Sequence, residues 1–115
     1  MTQRHIPSPI MHRVVEHGDI LYFGGMVAED RSAGMAGQTE QILARMAGML
    51  EQLGSDRTKV LTASVFVTDL GRKKEMDAAW VAFFGAEHLP ARATIGAASL
   101  GSPDTLIEVV VTASR

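Results

Sequence analysis

Two stretches of the chain repeat apolar residues at helical spacing, and each stretch ends at a glycine. In the first, apolar side chains recur every three or four residues from Ile42 to Leu53, and Gly54 follows where a C-terminal cap belongs. The second ends at Gly85 and repeats these apolar residues: Met76, Ala79, Trp80, Phe83 and Phe84. The pattern predicts two amphipathic helices whose apolar faces pack against a sheet.

Two single residues add detail to these helices. Asp69 precedes the second helix and is a candidate N-cap, because its carboxylate can accept hydrogen bonds from free backbone N–H groups. Gly48 lies inside the first helix, where glycine costs about 1 kcal/mol relative to alanine. We therefore expect a neighbouring element to pack closely against Gly48.

Alternating or β-branched residues predict strands before, between and after the helices. The segments are HRVVEHGDILYFGG, VLTASVFVTDL, ARATIGAAS and TLIEVVVTAS. Gly18-Asp19 marks a hairpin turn within the first of them. Residues 1–10, with two prolines, are expected to be irregular or an edge, and residues 28–37 are expected to be a loop.

The predicted element order is β-β-α-β-α-β-β, an α+β fold with a mixed sheet and both helices on one face. The strand after the first helix would direct Leu61, Ala63, Val65 and Val67 to the helix side. It would direct Thr62, Ser64, Phe66 and Thr68 to the other side. This second face is too apolar for bulk water and too polar for a dry core, so we expect another subunit to cover it.

Composition sets few further limits. The chain has 115 residues, no cysteine and a formal net charge of −2, which predicts a single domain over residues 1–115 without disulfides. Its first residues hold no apolar run of signal-peptide length, so a cytoplasmic location is expected, with no membrane and no nucleic acid as partner. His5, His12 and His17 are not spaced with carboxylates as metal ligands, and no metal is expected.

Candidate chemistry rests on two charged residues within apolar strands. Arg92 follows Pro90 at the mouth of one strand, and Glu108 stands among five aliphatic residues in the last strand. If the strands lie near each other, both side chains can share one side of the sheet. The pair is then either a structural ion pair at a subunit interface or a site in which the arginine grips a carboxylate and the glutamate orients water.

At this point the chain resembles the YjgF/RidA family of reactive-intermediate deaminases. The resemblance rests on the order and spacing of GDILYFGGMV, QTEQILARMAGMLEQLGS, VFVTDL, MDAAWVAFF, LPARATIGAASL and IEVVVTA, from about residue 12 to the C-terminus. It implies a chorismate-mutase-like α+β fold and a homotrimer with sites in clefts between subunits. It also implies hydrolysis of 2-imino and 2-enamino acids to 2-keto acids and ammonia, without metal or organic cofactor.

The resemblance assigns roles to individual residues. Arg92 matches the arginine that binds the substrate carboxylate, Glu108 matches the acidic residue that holds the attacking water, and Thr94 matches a small residue that lines the pocket. Met11 stands where active members commonly have a tyrosine, and Gly24 stands where a serine is frequent. These two positions are expected to line the pocket without the usual hydroxyls.

A third departure lies in the second helix, where Asp77 replaces an asparagine that is often seen in the family.

Three function classes follow. The resemblance favours a deaminase of the 2-iminobutanoate or 2-iminopropanoate type, acting in metabolite detoxification. The first alternative is a non-catalytic trimer that binds small carboxylates and regulates a partner. The second is the ribonuclease or translation-inhibitor role also attached to the family. The slightly acidic chain, with one Trp and one Tyr, argues against the second alternative because RNA binders use basic patches and stacking aromatics.

Overall fold

The computed structural model describes all 115 residues. The chain folds into one six-stranded mixed sheet with two helices on one of its faces. The strands are β1 (Thr2–Pro7), β2 (His12–His17), β3 (Ile20–Phe23), β4 (Val60–Val67), β5 (Ala91–Gly96) and β6 (Ile107–Ser114). The helices are α1 (Met35–Gln52) and α2 (Lys73–Phe84), and short 3₁₀ turns cover Arg57–Lys59, Leu70–Arg72 and Ala86–His88. Neither helix is long and apolar enough to cross a lipid bilayer.

The strand order is β1-β2-β3-β6-β4-β5, and only β4 and β5 run parallel. The predicted α+β class and mixed sheet are confirmed, as is the hairpin turn, where Gly18 has a φ of 61°. The N-terminal segment forms the edge strand β1, which pairs with β2. The full order is therefore β-β-β-α-β-α-β-β.

The core lies between the sheet and the helices. On β6, Ile107, Val109, Val111 and Ala113 are buried, and the residues between them face the open side. On β4, Ala63, Val65 and Val67 are buried as predicted. The prediction for Leu61 was wrong, because the pairing of β4 with β6 shifts register between Val60 and Thr62 and leaves Leu61 45% exposed.

The predicted helix faces are confirmed, with Met76, Trp80 and Phe84 buried on α2 and with Gly54 and Gly85 at positive φ after the two helices. The predicted loop over residues 28–37 was too long, since α1 already begins at Met35. The apolar pattern did not predict the first turn of α1, because this turn buries a polar residue, Gln38.

Gln38 ties the start of α1 to the loop before β6. Its amide nitrogen donates to the carbonyls of Ala33 and Asp104, and its oxygen accepts from the Leu106 N–H. A fully buried amide with these partners substitutes for an apolar core residue.

Two expectations about single residues were wrong. A Cβ at Gly48 would meet no atom within 4 Å, so packing within the chain does not require this glycine. Asp69 accepts from the Gly71 N–H and therefore caps the 3₁₀ turn, whereas α2 begins later, after Arg72.

A buried carboxylate joins both ends of the chain. Glu16 on β2 is 7% exposed and accepts hydrogen bonds from His5 on β1 and from Arg115 at the C-terminus. The hydrogen bonds from Arg115 and then His5 lower the pKa of Glu16 below its usual range, against the opposing effect of burial. The pairing holds the edge strand and the last residue of the chain against β2.

Glu16→Gln is therefore expected to lower the melting temperature at neutral pH. The pKa of Glu16 is depressed in the folded state, so its contribution is complete above the unfolded carboxyl pKa of about 4.3. That contribution is lost as the pH falls through the lower folded value, and the difference between wild type and variant should shrink there. The control is Glu29→Gln, whose side chain is 83% exposed and lies 4.0 Å from Arg45. Equal melting temperatures for the two variants at pH 7 would contradict the assignment.

Candidate functional site

Arg92 lies on the helix side of the edge strand β5. It pairs with the buried Ala63 of β4, which places both side chains on the same face. Its guanidinium carbon lies 5.2 Å from the centre of the Trp80 ring, and its Nη2 donates to Asp77 Oδ1 at 2.5 Å. Two residues of α2 therefore hold the guanidinium, while its side chain remains 18% exposed.

Asp77 is itself shared between two cations. Its Oδ2 accepts from Lys73 Nζ at 2.8 Å, one turn earlier on α2, and its Oδ1 accepts from Arg92. Burial raises the pKa of Asp77, but the hydrogen bonds from Lys73 and Arg92 outweigh burial, and the pKa lies below its usual value. The carboxylate therefore stays charged throughout the neutral range.

An open pocket of about 330 Å³ adjoins this arginine. Its lining consists of Asp77, Trp80, Val81, Leu89, Pro90 and Arg92. The pocket has apolar walls, one guanidinium and the Asp77 carboxylate, which is already bonded to two cations. The free donors of the guanidinium suit a small organic carboxylate. The 3₁₀ turn that follows α2 ends at His88, and Leu89 and Pro90 connect it to the start of β5 at Ala91.

Glu108 lies on the other face of the sheet. It pairs with Phe66 of β4, and its neighbours Ile107 and Val109 point into the core. Its carboxylate rests against the backbone of Gly25, because a Cβ at Gly25 would lie 2.1 Å from Glu108 Oε2. Glycine at position 25 is therefore what allows Glu108 its observed position.

Met11 and Gly24 lie beside each other, just past the C-terminal end of β3. A Cβ at Gly24 would come within 3.0 Å of Met11 Sδ, and the Gly24 N–H donates to the Arg13 carbonyl. The thioether thus occupies the space beside Gly24. Since Gly24 adjoins Gly25, these two predicted pocket residues lie near Glu108, away from Arg92.

Thr94 belongs with Arg92. It pairs with the buried Val65 of β4 and so lies on the helix side of β5. The predicted site residues therefore form two groups. The arginine group consists of Arg92 and Thr94 with Asp77 and Trp80, and the glutamate group consists of Glu108 with Met11, Gly24 and Gly25.

The expectation that Arg92 and Glu108 share one side of the sheet was wrong. Strand β4 lies between their strands, and their partners on β4, Ala63 and Phe66, are three residues apart. An odd offset places the two side chains on opposite faces, and standard strand dimensions put their Cα atoms about 14 Å apart. A structural ion pair between them within one chain is excluded for the same reason.

The open face combines apolar and polar residues, as predicted. Thr62, Ser64 and Phe66 lie on it without cover from either helix. Tyr22 and Ile95 extend the apolar surface and are 48% and 40% exposed.

The sequence pattern did not reveal Trp80 as a partner of Arg92. Helical periodicity predicts that Trp80 is buried, but it does not predict which side chain packs on its ring. For Gly25 the sequence contained one indication of a close contact, the Gly-Gly dipeptide directly after β3. His5 and His17 contribute to neither group, since His5 binds Glu16 and His17 binds Thr2. No cluster of three or more His, Asp or Glu side chains is arranged to hold a metal ion.

Comparison with known proteins identifies the family. The family described as Endoribonuclease L-PSP matches residues 5–115. A RutC family protein of Haemophilus influenzae is 31% identical over 113 residues, 97% of each chain. The RutC family protein YoaB of Escherichia coli is 35% identical over 101 residues, 88% of this chain and 87% of its own.

Solved structures agree with the sequence comparison. An uncharacterized protein from Pseudomonas aeruginosa superimposes with a TM-score of 0.94 at 30% identity, covering 100% of this chain and 99% of that one. A member of the YjgF family from Neisseria meningitidis gives 0.92 at 31% identity, covering 100% and 95%. The chain belongs to the YjgF/RidA family, also called the endoribonuclease L-PSP or RutC family.

Gly25→Ala is expected to move the Glu108 carboxylate without unfolding the chain. The new Cβ would lie 2.1 Å from Oε2, but this oxygen is at the end of a flexible side chain that can rotate away. A crystal structure should show Glu108 in another rotamer, with a small change in melting temperature.

The matched control is Gly24→Ala, whose Cβ would need only a slight shift of the Met11 sulfur. If Glu108 stays in place in Gly25→Ala while the backbone shifts and stability falls sharply, the close contact is not what positions this carboxylate.

Proposed function

We propose that the protein is a homotrimer that hydrolyses 2-imino and 2-enamino acids to 2-keto acids and ammonia. In this proposal Arg92 of one subunit binds the substrate carboxylate and Glu108 of a neighbouring subunit orients the attacking water. The observation that carries it is the immobilised guanidinium at the edge of an open pocket, in a chain of the YjgF/RidA family.

The state of Arg92 supports its role as a carboxylate clamp. Asp77 engages one N–H of Nη2, so the second N–H of Nη2 remains free and forms a fork with either Nε or Nη1. An arginine grips a carboxylate with parallel hydrogen bonds from a planar fork, and a fork already fixed in position loses less entropy on binding. Trp80 and Asp77 supply that fixation.

The separation of the two groups supports a site shared between subunits. Arg92 reaches the helix side at one edge of the sheet, and Glu108 lies on the open face. A partner that covers the open face can bring its own edge strand, with Arg92, near Glu108 of the first chain. Cyclic assembly then repeats the same arrangement at each interface. Thr94 would line the arginine side of the cleft, and Met11 and Gly24 would line the glutamate side.

The proposed reaction needs little chemical machinery. A 2-enamino acid reacts as its imine tautomer. Water adds to the carbon of the protonated imine as Glu108 accepts one proton from that water, which gives a tetrahedral amino alcohol. Glu108 passes that proton to the nitrogen, and the C–N bond then breaks and releases ammonia while the hydroxyl gives its proton to Glu108 and becomes the keto group. Holding the reactants in place supplies much of the rate gain. The chemistry proposed here uses no metal or organic cofactor.

One observation favours a second function, a trimer that binds small carboxylates without turning them over. Methionine and glycine at positions 11 and 24 place a thioether, not hydroxyls, beside the glutamate group. The arginine clamp is unaffected by this change. Binding of a keto acid without imine hydrolysis would identify this alternative.

The name endoribonuclease attached to the family raises a third function. The net charge of −2 and the absence of a stacking surface of several aromatics disfavour it for this chain. A salt-dependent RNA-binding assay tests it, because phosphate contacts weaken steeply as salt rises.

The trimer prediction concerns the open face. Sedimentation at micromolar concentration should give about three times the 12.4 kDa chain mass. Ser64→Glu should dissociate the assembly, because it places a charge on the face that a partner would cover. Ala44→Glu, on the exposed side of α1, adds the same charge and should leave the trimer intact. A wild-type protein that sediments as a monomer would rule out the shared site.

Arg92→Lys should lose most imine hydrolysis and bind keto acids more weakly, with the assembly unchanged. Lysine keeps the charge but not the planar fork. Turnover is measured on imines generated by an amino-acid oxidase from a panel of amino acids, and binding is measured calorimetrically with 2-oxobutanoate. The control is Arg57→Lys, another arginine stacked on an aromatic ring of α2, with its guanidinium 4.3 Å from the Phe83 ring centre. Normal turnover in Arg92→Lys would remove Arg92 from the mechanism.

A further inference from the structure

The carboxylate of Asp77 has no part in the reaction described above, yet it contacts the residue on which that reaction depends. We propose that Asp77 is a positioning and specificity-determining residue that makes the Arg92 pocket favour monocarboxylates over dicarboxylates. This inference rests on the proposed function, because it takes Arg92 as the group that binds the ligand carboxylate.

The positioning role follows from the contacts. Asp77 holds Nη2 of Arg92 at 2.5 Å, and Trp80 lies under the guanidinium at 5.2 Å. The Trp80 ring fixes the plane of the guanidinium, and the bond to Asp77 fixes its rotation within that plane. The remaining donors then face the pocket rather than turning toward α2.

The selecting role follows from the charges. Lys73 and Arg92 are the two cations bonded to Asp77, so the three side chains carry one net positive charge. A monocarboxylate neutralises that charge. A dicarboxylate brings a second negative charge into a pocket that already contains the Asp77 carboxylate.

The rest of the pocket offers nothing to balance that second charge. The other lining residues are Trp80, Val81, Leu89 and Pro90, which carry no charge. Within the chain, a second carboxylate of the ligand would therefore meet apolar walls and Asp77. The same lining favours 2-imino acids with short apolar side chains.

The test compares two keto acids of different charge on the intact protein. Calorimetry gives the dissociation constants of 2-oxobutanoate and 2-oxoglutarate, and the measured quantity is their ratio. Asp77→Asn keeps the size and an acceptor oxygen for Arg92 but removes the charge. We expect the preference for 2-oxobutanoate to fall by roughly tenfold, the effect of one neighbouring charge in a partly exposed pocket. Asp104→Asn is the control, since Asp104 also pairs with an arginine, Arg31, outside the pocket.

A second variant moves the preference in the opposite direction and guards against a folding defect in the first. Lys73→Gln leaves the charge of Asp77 less balanced, so binding of both keto acids should weaken and the preference for 2-oxobutanoate should grow. An unchanged ratio in both variants, with the wild type binding 2-oxobutanoate, would overturn the role of Asp77 and leave the proposed function standing. If the wild type binds neither keto acid, the Arg92 clamp itself fails, and the proposed function falls together with this inference.

Discussion

The register of β4 with its two neighbours is the constraint on which the rest of this structure depends. β5 runs parallel to β4 on one side, and β6 runs antiparallel on the other. Side chains alternate between faces along a strand, so the three-residue offset between Ala63 and Phe66 sends Arg92 and Glu108 to opposite faces. A one-residue slip would reunite them but would also turn the buried residues of β6 toward water. Burial of the core thus separates the two charged residues.

Each group is then built by local contacts of its own. On the helix side, Trp80 contributes both to the core and to the support of Arg92, since it is 2% exposed and its ring faces the guanidinium. On the open face, Gly25 lacks the side chain that would displace Glu108. Each group is held in place without contacts to the other group. A site assembled between identical chains requires this, because its two halves come from different subunits. Cyclic symmetry would supply the missing half at every interface.

Periodicity along the chain predicted the helices, most strands and the buried faces, because these depend on neighbours three, four or two residues apart. The predictions that were wrong depended on physical features that residue spacing does not reveal. The buried amide of Gln38 concealed the first turn of α1, and the irregular register between Val60 and Thr62 exposed Leu61. The relation of Arg92 to Glu108 was missed because it depends on which strand lies between β5 and β6.

Two charges within apolar strands identified Arg92 and Glu108 as candidates, and the resemblance to a family assigned their roles. The structure supplied what their spacing in sequence could not. It showed that Thr94 accompanies Arg92, and that Met11 and Gly24 lie near the glutamate group. It also showed that position 77, noted only as a departure from the family, holds the arginine. Contacts between a helix and an edge strand are not encoded in the period of either element, so no pattern could have revealed this one.

The central claim is that one site takes Arg92 and Glu108 from different chains, and mixed trimers test it most directly. Arg92→Lys and Glu108→Gln should each be nearly inactive as pure trimers. Co-expressed in equal amounts under different tags, with mixed assemblies purified and their composition checked by mass spectrometry, they should regain imine hydrolysis. A mixed trimer contains two chains of one variant and one of the other, and about one of its three sites then has both native residues. Mixed trimers as inactive as either parent would contradict a site shared between subunits.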